Sequence, residues 1–225
     1  MVAAGAEVHV VDSTCGASER HDDPGLDKHP LISRLHPSGD VEFADGAVAP
    51  SVSCIISCTG YDYAFPFLDE GVVSTDERRV HPLFKQLFHI DDPTLSFIGL
   101  PWSTIPFPLF DVQAELVARV ATGRAALPTI DERQRDLEAV YKVLPRARDA
   151  HKLAGRQFEY CRELARLGGF LTAALNARLS QVEAVYKVVT ASRPTVVGGA
   201  DGYRQVQYAL DGASAFTVQR PGSEP

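Results

Sequence analysis

The sequence is short of the features that sort a protein quickly. It holds only four cysteines, irregularly placed among 225 residues, too few and too scattered for a disulfide framework. Its seven histidines are equally scattered, and no zinc motif can be assembled from sequence. No apolar run approaches the roughly 20 residues needed to cross a bilayer. The start carries no basic segment followed by a long apolar stretch; this argues against a secretory signal and makes the cytoplasm the expected compartment. Basic clusters are missing too. Against 29 Asp and Glu there are 22 Lys and Arg, and the formal charge of −7 speaks against a general nucleic-acid binder. No Gly-x-Gly-x-x-Gly run occurs, and no Ser/His/Asp or paired-carboxylate arrangement stands out.

What is present is enough apolar residue, 45%, to bury a core, organised around residues 94–123. Leu95 to Leu100 is a short apolar run ending beside Gly99 and reads as a buried strand. Asp111 stands where a helix N-cap is expected, with Val112, Leu116, Val117 and Val120 following at helical spacing. Glu115 and Arg119 form an i,i+4 pair, and Gly123 closes the helix. Between strand and helix lies a stiff loop with Pro101, Pro106 and Pro108 beside Trp102, Phe107 and Phe110. Ligands of open α/β sheets sit beyond the carboxyl ends of strands, and helix N-termini attract negative charge, so this loop is a candidate cofactor edge. On residue types alone, an ordinary strand–loop–helix packing unit is the other reading.

Elsewhere, residues 3–12 read as a helix end, a turn and a strand over Glu7 to Val11. Asp12 ends that strand, where a dinucleotide-binding unit meets the adenosine ribose; a simple strand-terminating Asp is the alternative. Residues 13–30 are polar, with Asp22-Asp23-Pro24-Gly25 as a turn signal, and read as a surface loop. Val41 to Val48 alternates around Asp45-Gly46, a hairpin signal. Val52 to Ser57 is a continuous apolar run, read as a central strand, with Cys54 and Cys58 as buried thiols on one face and Gly60 at its exit. Arg78-Arg79-Val80-His81-Pro82 adjoins Asp76 and Glu77 and reads as a solvated loop rather than a phosphate site. Leu87 to Ile90 is a short strand. Thr129 with Glu132 forms a capping box that opens a helix stopped at Pro145. Further helices are expected over Arg156 to Leu167, ended by Gly168-Gly169, and over Phe170 to Val189. Glu138 to Val143 recurs as Glu183 to Val188, two similar helix faces rather than a repeat array. Beyond Ser192, order is expected only around Tyr203 to Tyr208.

Taken in order, Val52 to Tyr61, Phe65-Pro66-Phe67-Leu68, Leu95 to Trp102, Ile105 to Phe110, Asp111-Val112-Gln113, Thr122-Gly123-Arg124 and Gln157 to Tyr160 resemble the C-terminal half of a flavin-containing monooxygenase of plant or algal type. The likeness runs from about Gly5 to Tyr203, and Cys58-Thr59-Gly60-Tyr61 resembles the family's second "ATG" signature with Cys for Ala. The resemblance implies an α/β fold, a partial two-dinucleotide-binding-domain (Rossmann-like) flavoprotein with a helical C-terminal region. Its expected division is a remnant of an NAD(P)H-binding domain over residues 1–56, the C-terminal part of an FAD-binding domain with a helical extension over 57–190, and a weakly ordered tail over 191–225. It implies FAD and NADPH as cofactors and the NADPH- and dioxygen-dependent oxygenation of a small amine or sulfide substrate. Gly99, Leu100, Asp111 and Gln113 would face the flavin, Thr59 and Gly60 the crossing between domains, and Asp12 the nicotinamide cofactor's ribose.

Asp12-Ser13-Thr14 offers no Arg for a 2′-phosphate, which leaves NADH or NADPH open. The family's glycine fingerprints are not found, so the expectation is a fragment that binds flavin weakly or not at all alone, completed by an N-terminal half. The alternative is a non-catalytic interaction protein built on a flavoprotein half-fold. Neither a nucleic acid nor a membrane is expected as partner.

Overall fold

The computed structural model describes residues 7–20, 25–196, 207–211 and 215–219, and divides the chain into two units, Met1–Tyr61 and Asp62–Pro225. The helix end expected before Glu7, the turn at Asp22 to Pro24 and the order expected at Tyr203 lie outside the described residues.

The first unit is built from two small sheets. Strand β1 (Val8–Val11) pairs in parallel with β3 (Leu26–His29), and β2 (Glu19–Arg20) adds antiparallel to β3. Residues 13–30 are therefore not simply a loop. Leu26-Asp27-Lys28-His29 has one aliphatic residue, and its strand state comes from pairing with β1 rather than from local alternation. The second sheet is antiparallel, in the order β4 (Ile32–Leu35), β5 (Val41–Phe43), β6 (Val48–Ala49). Its hairpin turns at Asp45-Gly46 as expected: Gly46 has φ +83, and Asp45 Oδ1 accepts the Ala47 amide at 3.1 Å. The inward positions Val41, Phe43 and Ala49 form the core of this unit.

Val52 to Ser57 is not a strand. It has no regular secondary structure, with Ile56 80% exposed and both Cys54 and Cys58 exposed, so the expectation of a central strand with buried thiols fails. A strand needs a ladder partner, and among the described residues none lies beside it.

The second unit is mainly helical: α1 (Pro106–Ala121), α2 (Ile130–Lys142), α3 (Gln157–Leu167) and α4 (Ala173–Val196). A two-stranded ribbon, β7 (Leu83–Phe84) with β8 (Phe88–His89), packs with α1 and α3 through Phe84, Phe88, Leu109, Leu116 and Leu164. Complete burial of each such side chain contributes about 1.5–3 kcal/mol. Thr129 and Glu132 make the full capping box of α2, and α3 ends at Gly168 and Gly169. Gly168 is required there for space: a Cβ would meet the Phe170 ring at 2.5 Å. Helix α4 starts at Ala173 rather than Phe170, because Phe170 turns in to pack on the core. A closing hairpin, β9 (Gln207–Asp211) with β10 (Ala215–Gln219), gives the region after Ser192 regular structure. No helix among the described residues is long and apolar enough to cross a membrane.

Candidate functional site

Two sequence expectations change at the central stretch. Leu95 to Leu100 is not a strand but a series of turns, touching β8 through the single bridge between Phe88 and Ser96. Its backbone is bonded through His89 N–H to Leu95 O at 3.0 Å and Phe97 N–H to Leu87 O at 2.8 Å. The helix that follows does not begin at Asp111. It begins at Pro106, with Ile105 as N-cap, because proline at the first helical position has its φ preset and loses no helical hydrogen bond. Asp111 is an exposed residue within the helix.

The earlier start defines the chemistry of this helix end. Of the four leading amides that lack helical acceptors, two are absent because Pro106 and Pro108 have no N–H. A third, from Ile105, donates to Gln157 Oε1 at 2.7 Å. The Phe107 amide is the remaining donor, together with the positive end of the helix dipole. Exposed apolar side chains in this stretch are Phe107 at 76%, Ile98 at 48% and Trp102 at 43%.

A buried polar chain holds this edge in place. Gly99 N–H donates to Gln113 Oε1 at 3.0 Å, Gln113 Nε2 donates to Tyr160 Oη at 2.9 Å, and Tyr160 Oη donates to Lys85 O at 2.7 Å. Gln113 is completely buried and Tyr160 nearly so. Burial raises the Tyr160 phenol pKa, so the hydroxyl remains a donor at any ordinary pH. Gln113 thus spends both ends of its amide inside the protein, as a positioning residue for Gly99. Gly99 itself has φ +92, and a Cβ there would come within 3.2 Å of the Phe110 ring. Trp102 is tied by its backbone to His151 O at 2.8 Å and to the Leu153 amide at 3.2 Å. The His151 ring is buried, accepts the Val80 amide on Nε2 at 2.9 Å, and is held neutral with its pKa lowered to about 4 by burial and by Arg79. Leu100 lies buried, its carbonyl accepting from Tyr63 Oη at 3.3 Å.

Among the second unit's expected site residues, Gly99 and Gln113 are in direct contact and Leu100 is next in line, while Asp111 faces solvent. Asp12, Thr59 and Gly60 belong to the first unit. Asp12 follows β1, and its Oδ1 accepts from the Thr14 amide and hydroxyl at 2.8 and 2.9 Å; these bonds lower its pKa and keep it anionic. Thr59 and Gly60 are exposed, Gly60 with φ +85. Gln157 and Tyr160 carry no role that their residue types alone announce. Their i,i+3 spacing on α3 puts both polar groups on the face turned to α1, a signal visible only once the helix was placed.

The flavin-binding monooxygenase-like family model matches residues 31–182, more than half of the chain. Flavin-containing monooxygenase FMO GS-OX-like 4 from Arabidopsis thaliana is 38% identical over 163 residues, covering 68% of this chain and 36% of that protein. FMO GS-OX-like 3, also from Arabidopsis thaliana, is 40% identical over 144 residues, 61% of this chain and 32% of the relative. The chain therefore spans about a third of the length of these curated relatives. Among solved structures, S-allyl-L-cysteine S-oxygenase from Allium sativum superposes with a TM-score of 0.70 at 35% identity, covering 88% of this chain and 45% of that one. Tmm from Pelagibacter sp. strain HTCC7211, at 22% identity and a TM-score of 0.64, shares the fold. By this match the chain belongs to the flavin-binding monooxygenase-like family.

Proposed function

We propose that the chain supplies the ring-side wall of an FAD site in a flavin-containing monooxygenase, with the diphosphate and adenine held by sequence beyond these 225 residues. The observation that carries this reading is the hydrogen-bonded chain Gly99–Gln113–Tyr160–Lys85, which fixes an exposed apolar edge at the N-terminal end of α1. The residues present fit the ring end of a flavin: Ile98, Trp102 and Phe107 offer flat apolar contact beside one amide donor and a positive helix end. They do not fit its diphosphate, for which no Gly-x-Gly-x-x-Gly turn exists. When bound, FAD reduced by NADPH supplies the activation of dioxygen for transfer of an oxygen atom to an amine nitrogen or sulfide sulfur.

The chain's own residues have simpler tasks. The end of α1, through the Phe107 amide, would stabilise negative charge at the ring's carbonyl edge. Trp102 and Phe107 exclude water. Gln113 positions Gly99 so that the backbone of Gly99 and Leu100 borders the ring. Asp12 presents its unengaged Oδ2 to a ribose hydroxyl of the nicotinamide cofactor. Residues 1–56 then form part of an NAD(P)H-binding domain, Thr59 and Gly60 lie at the passage to the FAD-binding domain, and the substrate is a soft nucleophile of small size.

Trp102 is the only tryptophan, so its fluorescence reports directly on this edge. Riboflavin and FAD should quench it with similar, weak affinity, and ADP should neither quench nor compete. Equal competition by ADP, or no quenching by either flavin in folded protein, would overturn the assignment.

A second reading, a non-catalytic interaction protein, draws on the exposed segment with Ile55 and Ile56, since apolar edges of this kind pair with other chains. It expects a monodisperse folded chain whose Trp102 emission is indifferent to flavins.

A further inference from the structure

The first unit contains a cluster that the flavin reading does not use. In the parallel register His9 pairs with Asp27 and Val11 with His29, which puts His9, Asp27 and His29 on one face of the β1–β3 pair. Nothing in their sequence spacing suggests a metal motif; the juxtaposition comes entirely from the parallel pairing. One ligating atom from each of the three lies within 4.8 Å of the others. His9 Nδ1 and His29 Nε2 are 2.9 Å apart.

From this geometry we propose that His9, Asp27 and His29 form a binding site for one divalent transition-metal ion of the zinc type. In a tetrahedral site with metal–ligand bonds of about 2.0–2.1 Å, neighbouring ligand atoms stand about 3.3 Å apart. The two imidazole nitrogens need to separate by only a few tenths of an ångström. Two imidazoles and one carboxylate are a donor set that suits zinc and its neighbours, with a fourth position left to water.

The surroundings of His29 support this assignment. Its ring is 7% exposed and stacks on Phe43 with centroids 3.8 Å apart and planes 5° from parallel. Its far nitrogen, Nδ1, meets Ser18 Oγ at 2.7 Å, and the Ser18 amide is in turn held by Asp45 Oδ2 at 2.6 Å. With Ser18 accepting from Nδ1–H, the lone pair of Nε2 is turned to His9, the tautomer a metal requires. With that tautomer of His29, the Nδ1 of His9 carries the shared proton in the metal-free protein. Coordination moves that proton to His9 Nε2 through solvent and leaves both rings neutral. Asp27 gives up only a loose ion pair, 3.8 Å from the exposed Arg20.

The site lies wholly within the first unit and does not depend on the flavin assignment. The test is calorimetric titration of the chelator-stripped chain, made without a polyhistidine tag, with zinc chloride. Cobalt chloride serves as a second probe, because its visible absorption reports a tetrahedral nitrogen–oxygen site. One equivalent should bind, with the cobalt bands of four-coordination. H9N and D27N should each weaken binding at least about tenfold. These two side chains are only partly buried, so their variants should keep the fold, which circular dichroism checks; H29Q, beside the Phe43 core, is a supporting variant. No saturable binding to the folded chain, or binding undiminished in H9N, would overturn the proposal.

Discussion

Residues 52–57 and 95–100 are two apolar hexapeptides of similar composition in opposite surroundings. The first has no regular structure and is largely exposed in the first unit, with Ile55 52% and Ile56 80% accessible. The second folds into turns against Leu87, Phe88 and Leu95's own neighbours, with Phe97 and Leu100 buried. The difference lies in backbone partners rather than in hydrophobicity. Residues 95–100 find donors and acceptors within 15 residues, on β8 and on Gln113. Among the described residues, 52–57 make one backbone bond, from the Val52 amide to Gly39 O at 2.8 Å, and an apolar segment whose remaining amides have no protein partner stays where water can reach them.

The largest expected effect comes from cutting the tie that holds the buried segment. Gln113→Leu leaves the Gly99 amide and one side of Tyr160 Oη without partners, at a cost of about 2–5 kcal/mol. Urea unfolding followed by Trp102 fluorescence should show the midpoint fall by the corresponding amount. A loss under about 0.5 kcal/mol would mean that the buried chain does not set the difference between the two segments.

A somewhat smaller effect is expected from pH, through His151, whose carbonyl anchors the Trp102 amide. Its pKa is lowered from 6.5 to about 4 in the folded chain, so below 6.5 the unfolded chain binds a proton that the folded chain refuses. The stability contributed is complete above pH 6.5 and declines as pH falls to about 4, by about 3 kcal/mol over the window. His151→Gln should flatten that part of the stability–pH curve. An unchanged slope in the variant would assign the acid sensitivity to other groups.

The smallest effect belongs to the exposed segment. Ile56→Ser should change stability by no more than about 0.5 kcal/mol, while reducing self-association at high concentration in analytical ultracentrifugation. A large loss of stability would show that residues 52–57 are packed in solution.

Features with a local cause were legible before the structure. The α2 capping box, the Asp45-Gly46 hairpin and the double-glycine end of α3 are each fixed by residues within a few positions of one another. Features with a distant cause were not. The strand at Leu26–His29 exists because β1 lies beside it, and Val52 to Ser57 fails as a strand for want of such a neighbour. The N-cap of α1 lies six residues before the one expected from sequence, because Asp111 is a good capping residue, whereas two prolines look like helix breakers until one stands at the first turn. Gln113 was singled out from the family resemblance, but its pairing with Tyr160, 47 residues away, and the meeting of His9 with His29 depend on tertiary placement.

The backbone of residues 99–105 is pinned at three points: Gly99 on Gln113, Trp102 on His151 and Leu153, and Ile105 on Gln157. Fixing one residue of free chain costs about 1–2 kcal/mol in conformational entropy at room temperature. For this loop the cost is already met when the helices fold. On the proposed reading, a flat ligand arriving at Trp102 and Phe107 would order little more than two side chains, so the share of the binding cost that comes from ordering the protein would be small.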